Sequence, residues 1–209
     1  MKKNFSKTLL VATENPHKLR EYIGVSKLFD LKIKFLSLRD FNGLSLPEET
    51  GETFLENALI KARYAFEKTK IPTIADDSGL IIDYLDGKPG VFSKRFAGED
   101  GDFEKNIKKV LLLLEGVPFE KRKAMFKTII VYKDSEREKA FEGTLSGYIW
   151  FEKRGKEGFG YDPIFYLPEL DKTIGELSFE EKNKISHRSK ALRKLFAYLS
   201  NQSYNPVDP

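Results

Sequence analysis

The chain has 209 residues, of which 40% are hydrophobic and 33% charged, enough to bury a substantial core as one domain or two closely joined lobes. It contains no cysteine, which excludes a disulfide framework, a thiolate nucleophile and a CxxC metal site. Its 36 basic and 32 acidic residues are interspersed rather than segregated, and no apolar run approaches a membrane span or a secretory signal. A cytoplasmic protein with neither a nucleic-acid nor a membrane partner is therefore expected.

In chain order, the apolar run at 8–13, "TLLVAT", reads as a short buried strand. A helix from Pro16 to about Phe29 follows, with Asn15 as N-cap and Pro16 as first helical residue; Leu19, Tyr22, Ile23 and Phe29 favour one face. A second helix runs from Phe54 to about Lys68, announced by Thr53 with Glu56 three residues later, the signature of a capping box. The runs "IPTIA" and "LIIDYL" read as strand on either side of Asp76 and Asp77, and "DGKPG" reads as a turn. "FEKNIKKVLLLLEG" forms a helix stopped by Gly116. Residues 123–133 and 139–150 are long strand candidates separated by the polar turn "DSERE", and the C-terminal segments "SFEEKNKIS" and "HRSKALRKLFAYLS" each follow a capping serine. Alternating elements followed by a hairpin imply an α/β fold with a mixed sheet. Residues 1–200 are expected to form one domain and 201–209 a flexible tail.

The chemistry lies between these elements. "ATENPHK" leads from a strand into a capped helix whose free N–H groups, with Lys18 in the first turn, suit a phosphate, although every helix start offers as much. "PEETGETF" places Glu48, Glu49 and Glu52 ahead of the second helix, and "ADDSG" follows that helix. Carboxylates from separate loops brought together would repel one another, and a hard divalent cation such as Mg²⁺ resolves the conflict by taking one or two carboxylates with water and substrate phosphates. "GFGYDPIFYLP" surrounds aromatic rings with glycines, which lets backbone approach a flat ligand; it also suits a core-forming loop. "EEKNKISHRSK" gathers Lys182, His187, Arg188 and Lys190, cations suited to a nucleotide's polar edges or to a solvated helix face.

In this order and spacing, "ATENPHKLREY", "EETGETFLENALIKAR", "ADDSGLIIDYLDGKPGVFSKRFAGED", "GFGYDPIFYLP" and "EEKNKISHRSKAL" closely resemble the inosine triphosphatase family, also called the Ham1 family, from about Leu9 to Leu199. Its members are noncanonical purine nucleoside triphosphate pyrophosphatases. The resemblance implies a mixed twisted sheet with flanking helices, in two lobes around a central nucleotide-binding cleft. It implies cleavage of ITP, dITP or XTP between the α- and β-phosphates to give the monophosphate and pyrophosphate, with Mg²⁺ as cofactor and a homodimeric assembly. The aromatic content of 13% leaves apolar surface for such an interface.

By motif, Thr13, Glu14, Asn15, Pro16, His17 and Lys18 correspond to the triphosphate-binding segment. Glu49 matches the metal glutamate, and Asp77 the metal-associated catalytic acid. Lys61 matches a lysine reaching the metal-phosphate centre, and Asp76 a supporting acid. Ser78, Phe159, Gly160, Tyr161, Asp162, Lys182, His187 and Arg188 correspond to substrate contacts. Glu14 departs from the glycine that many relatives carry after the threonine. The alternatives are a Maf-like pyrophosphatase, disfavoured by "GFGYDPIF" and "SHRSKAL", and a non-catalytic nucleotide sensor, disfavoured by the presence of both metal acids.

Overall fold

The computed structural model describes residues 6–29, 32–98 and 101–200; the expected C-terminal tail at 201–209 lies outside the described residues. Seven strands form one mixed sheet in the order β2-β1-β3-β4-β5-β6-β7. They are β1 (Ser6–Val11), β2 (Lys32–Ser37), β3 (Thr73–Ile82), β4 (Lys123–Lys133), β5 (Glu138–Ile149), β6 (Phe165–Leu167) and β7 (Lys172–Thr173). The helices are α1 (Pro16–Ser26), α2 (Phe54–Thr69), α3 (Phe103–Leu113), α4 (Phe179–Ile185) and α5 (His187–Leu199). The mixed α/β class expected from the sequence is the class observed.

The chain divides into two compact units. The first comprises Met1–Asp77, Ile129–Gly143 and Arg188–Pro209. Here β1 pairs in parallel with β2 on one side (Leu9 opposite Phe35) and with β3 on the other (Val11 opposite Ile74). Its core joins Leu9 and Val11 of β1, Tyr22 and Val25 of α1, Ile74 of β3, Ile130 and Tyr132 of β4, and Leu192, Leu195 and Phe196 of α5. The second unit comprises Ser78–Thr128 and Thr144–His187, with its own core of Leu80, Ile107, Val110, Phe126, Ile149, Tyr161 and Phe165 among others. In this unit β5 pairs antiparallel with β6, and β6 with β7.

Several local expectations hold for identifiable reasons. The Asn15 side chain accepts the His17 N–H and Pro16 opens α1. Thr53 and Glu56 close a reciprocal capping box at α2, and Ser178 with Glu181 does the same at α4. Gly116 has φ +73, a conformation that disfavours any side chain, and lies just beyond the end of α3. Ser186 terminates α4 in extended conformation directly before α5.

Other boundaries moved. The first strand ends at Val11, not residue 13, because Thr13 folds back with its N–H to the Val11 carbonyl at 2.9 Å. The helix expected to reach Phe29 closes at Ser26 and tightens into a 3₁₀ turn at Lys27–Phe29, and Ile23 is 38% exposed, off the apolar face. The two runs read on either side of Asp76 and Asp77 are joined in one continuous strand, β3, which starts at Thr73 and stops at Ile82, the rest of the second run forming a 3₁₀ turn at Asp83–Leu85. β2, β6 and β7 were not anticipated.

Candidate active site

The order β2-β1-β3 makes β1 a topological switch: the chain leaves it toward β2 and returns on the other side as β3. In open parallel sheets ligands bind beyond the carboxyl ends of strands at such a switch. β1 pairs with β3 only as far as Val11 opposite Ile74, so Asp76 and Asp77 extend past the end of β1, alongside the chain that leaves it. The loops after β1 and β2 enclose a pocket of about 640 Å³ lined by Thr13, Asn15 and Pro16 on one side and by Ser37, Arg39 and Gly43 on the other. Glu14 is exposed and lines the same pocket, and His17 is exposed beside it in sequence.

Adjacent residues on extended backbone face opposite ways, and the two acids have different partners accordingly. Asp76, 1% exposed, takes Lys18 Nζ at 2.9 Å and the Arg188 Nη2 at 3.2 Å, both on Oδ2. Burial alone would push this carboxyl up, but Lys18, Arg188 and Lys61 together hold it well below the usual carboxylate range. Arg188 is 1% exposed, and its Nη1 also donates to Glu21, a buried acid one turn after Lys18 on α1. Arg188, matched by motif to a substrate contact, thus spends its guanidinium on two buried carboxylates. Burial, and then the charge of Asp76, raises the Tyr22 phenol well above its ordinary value.

Asp77 faces α2. The helix buries Phe54, Asn57, Ala58, Lys61, Ala62 and Ala65, a stripe at helical spacing in which two polar residues, one turn apart, stand among one phenylalanine and three alanines. Asn57 Nδ2 donates to Asp77 Oδ2 at 3.1 Å. Lys61 Nζ donates to Glu49 and to the Asp76 carbonyl at 2.7 Å, and lies 4.0 Å from Asp77 Oδ1. Burial raises the Asp77 carboxyl above its ordinary value; Lys61 and Lys18 oppose that shift, and Glu49 adds to it. For Lys61, burial would lower the amine, but Asp77 and Glu49 outweigh it and leave the group raised and charged. Burial also lowers the Lys18 amine, against the pull of Asp76.

Among the described residues no group of three or more His, Cys, Asp or Glu side chains could by itself hold a metal ion. The pair Glu49 and Asp77 nonetheless fits a hard cation of the Mg²⁺ type. Both are oxygen donors meeting at one ammonium, and Asp77 holds its charge at a cost that a cation would relieve. Two carboxylates are what such an ion ordinarily takes from protein, the rest of its shell being water and phosphate oxygen.

The second unit holds another polar set. Asp162 and Lys182 form a buried ion pair at 2.6 Å, and Asp162 also accepts the Phe159 N–H at 2.8 Å. The Lys182 ammonium sits 4.4 Å from the centre of the Phe159 ring, a cation-π contact. Gly158, at φ +75, is indispensable here, because a Cβ would lie 2.1 Å from Asp162 Oδ2. Gly160 also has positive φ, and Ser78 is half-buried. Tyr161 is 2% exposed, with its hydroxyl on the Ser93 carbonyl at 2.8 Å and its ring edge-on to Phe103. His187 is buried with its ring stacked on Phe126 at 4.8 Å.

Of the residues expected in the site, Lys18, Asp76 and Arg188 form one charge cluster in the first unit and Lys61, Glu49 and Asp77 another, joined by the Lys61 hydrogen bond to the Asp76 carbonyl. Phe159, Asp162 and Lys182 form a second cluster in the other unit. Glu21, Tyr22 and Asn57 were not expected. The signal for each was a polar residue at helical spacing from a candidate residue: Glu21 three positions after Lys18, Tyr22 four, and Asn57 four before Lys61.

The profile of the Ham1 family matches residues 9–198. The dITP/XTP pyrophosphatase of Thermoanaerobacter pseudethanolicus is 52% identical over 191 residues, covering 91% of this chain and 96% of that protein. The dITP/XTP pyrophosphatase of Bacillus cereus is 50% identical over 192 residues, 90% of this chain and 93% of that protein. Among solved structures, the Ham1 protein of Staphylococcus aureus superposes with a TM-score of 0.83 at 39% identity, covering 94% of this chain and 100% of that one. A HAM1 protein from Coxiella burnetii gives 0.84 at 42% identity, covering 93% and 99%. The five motifs, the mixed sheet and the profile match agree, and the chain belongs to the Ham1 family.

Proposed function

We propose that this chain hydrolyses noncanonical purine nucleoside triphosphates, dITP and XTP together with ITP, to the monophosphate and pyrophosphate. The observation that carries the reading is the pairing of two acids, Glu49 and Asp77, with a buried ammonium, Lys61, beside the switch point of a parallel sheet. The names of relatives at about 50% identity over nine-tenths of the chain support the substrate class.

Each side chain has a role in this reading. The start of α1 and Lys18 bind the triphosphate through backbone N–H groups and charge. Glu49 and Asp77 would hold Mg²⁺, which when bound would neutralise phosphate charge and favour an in-line displacement. Asp77 accepts a hydrogen bond from the attacking water and orients it on the α-phosphorus; the new bond is water oxygen to α-phosphorus, the bond lost is α-phosphorus to bridging oxygen, pyrophosphate leaves and the water's proton passes to solvent. Lys61 keeps Asp77 and Glu49 in place and offers its charge to the transferring group. Asp76 anchors Lys18 and Arg188 without touching the reaction. Phe159 presents a ring to the purine, and Asp162, Lys182 and His187 set the polar environment of its edge.

The enzyme acts as a homodimer in the cytoplasm. Tyr84, Phe92, Leu112, Leu113, Phe151 and Leu170 of the second unit are large apolar side chains left exposed, which supports an interface there. No helix among the described residues is long and apolar enough to cross a membrane.

Chromatography of the products of dITP hydrolysis with Mg²⁺ tests the reading. Monophosphate and pyrophosphate are expected; diphosphate and orthophosphate as primary products would overturn it.

A further inference from the structure

We propose that Asn57 is a positioning residue of the active site, a single amide that fixes Asp77 and the loop carrying Glu49 at the same time. The inference rests on the function proposed above and extends it to a residue with no assigned role. Asn57 is fully buried on the first turn of α2. Its Oδ1 accepts the Gly51 N–H at 2.8 Å and its Nδ2 donates to Asp77 Oδ2 at 3.1 Å. The orientation of the amide is not arbitrary: a backbone N–H can only donate and a carboxylate can only accept, so the oxygen must face Gly51 and the nitrogen Asp77.

The chain is shaped to permit this clamp. A Cβ at Gly51 would lie 2.6 Å from the Glu56 Cβ, 2.8 Å from Asn57 Oδ1 and 3.0 Å from the Asn57 nitrogen, so only glycine lets the loop lie flush on the helix start. Glu49 is two residues upstream of that contact, and Lys61, one turn beyond Asn57, takes Glu49 directly. The two oxygens of Asp77 are therefore faced by two rungs of one helix, Oδ2 by the neutral amide and Oδ1 by the ammonium at 4.0 Å. A second cation at Oδ2 would cancel the charge that a divalent ion needs. A purely apolar residue would leave both the Gly51 N–H and the carboxylate rotamer undetermined. The amide fixes geometry and leaves charge untouched, as outer partners of metal ligands do.

Three variants separate positioning from packing. Asn57→Asp keeps the shape and the acceptor for Gly51 but loses the donor to Asp77; Asn57→Leu loses both; Gly51→Ala crowds the clamp from the other side. With dITP, all three are expected to lose kcat by about 10- to 100-fold with KM changed by less than about 3-fold. Mn²⁺ binding without nucleotide, read from the electron paramagnetic resonance of the free ion, is expected to weaken by about 10-fold in Asn57→Leu and Gly51→Ala. Asn57→Asp is expected to keep Mn²⁺ affinity while losing kcat, because added charge attracts the ion but does not orient Asp77. Wild-type kcat and Mn²⁺ affinity in folded Asn57→Leu overturn the proposal, as does wild-type kcat in Asn57→Asp should the leucine variant not fold. If the wild-type chain binds Mn²⁺ but does not cleave dITP, the proposed function fails and the Mn²⁺ series alone still decides the role of Asn57. A wild-type chain that binds no Mn²⁺ overturns the clamp as a metal-positioning device.

Discussion

Asp76 and Asp77 are neighbours in sequence with opposite electrostatic fates, and this follows from the alternation of a strand. Asp76 is held ionised by Lys18 and Arg188, while burial makes Asp77 hold its proton more tightly than usual. For Asp77 the expected consequence is catalytic: Asp77→Asn and Glu49→Gln are each expected to cost about 10²-fold or more in kcat while leaving the melting temperature within a few degrees of wild type. For Arg188 it is a matter of stability. Removing a guanidinium that serves two buried carboxylates leaves both uncompensated, so Arg188→Met is expected to lose about 3–5 kcal/mol in urea unfolding. The pH dependence has a definite sign. A folded-state carboxyl held below its unfolded value gives stability that is present above the ordinary carboxylate pKa and lost as pH falls toward the depressed one. Arg188→Met takes away part of that depression, so its cost is expected to be largest near neutral pH and to shrink as pH falls below the ordinary carboxylate pKa, measured by urea unfolding across that range.

At the scale of elements, the sequence was most legible where a local signal was complete. α2 was announced by a capping box, which is present in the structure ahead of a buried stripe of Phe54, Asn57, Ala58, Lys61, Ala62 and Ala65. The polar members of that stripe, Asn57 and Lys61, were the clue that the helix faces a site as well as a core; only Lys61 was singled out, and that by its place in the family motif. β3 was divided in the reading because charges break the apolar run; the strand continues there because Lys18, Arg188 and Lys61 neutralise what hydropathy counts as a cost. β2 is only half-buried along its length, and β6 and β7 have three and two residues, too short for any periodicity. The cap at α2 is testable independently of the chemistry. Thr53 Oγ1 accepts the Glu56 N–H at 3.1 Å, and Thr53→Ala is expected to cost about 1 kcal/mol in denaturant unfolding.

For the whole molecule, the two units carry different chemistry, and the prediction that follows is a division of kinetic effects. Under the proposed function, Lys18, Glu49, Lys61 and Asp77 of the first unit act on phosphate and cation and do not distinguish one base from another. In the second unit Lys182 lies over the Phe159 ring and pairs with the buried Asp162, and under the same proposal these groups suit a flat ring and its polar edge. Hypoxanthine and xanthine carry an oxo acceptor at the purine six-position where adenine carries an amino donor, so a donor from this set is satisfied by the first two and left unpaired by the third. Buried unpaired groups discriminate strongly, by as much as on the order of 10⁴. Guanine shares the six-oxo group and differs from hypoxanthine only by its two-amino group, so its rejection is expected to be weaker. The order of kcat/KM expected in a nucleotide panel is therefore ITP, dITP and XTP first, GTP intermediate and ATP lowest, by about 10²-fold or more below ITP. Lys182→Met is expected to reduce the ratio of ITP to ATP, because it removes a donor and leaves Asp162 buried without its cation. Lys61→Ala is expected to lower kcat/KM for every triphosphate alike and to leave that ratio unchanged. Equal kcat/KM for ITP and ATP in the wild-type enzyme, or a Lys182→Met variant whose ratio does not move, would show that the base is not read by this set.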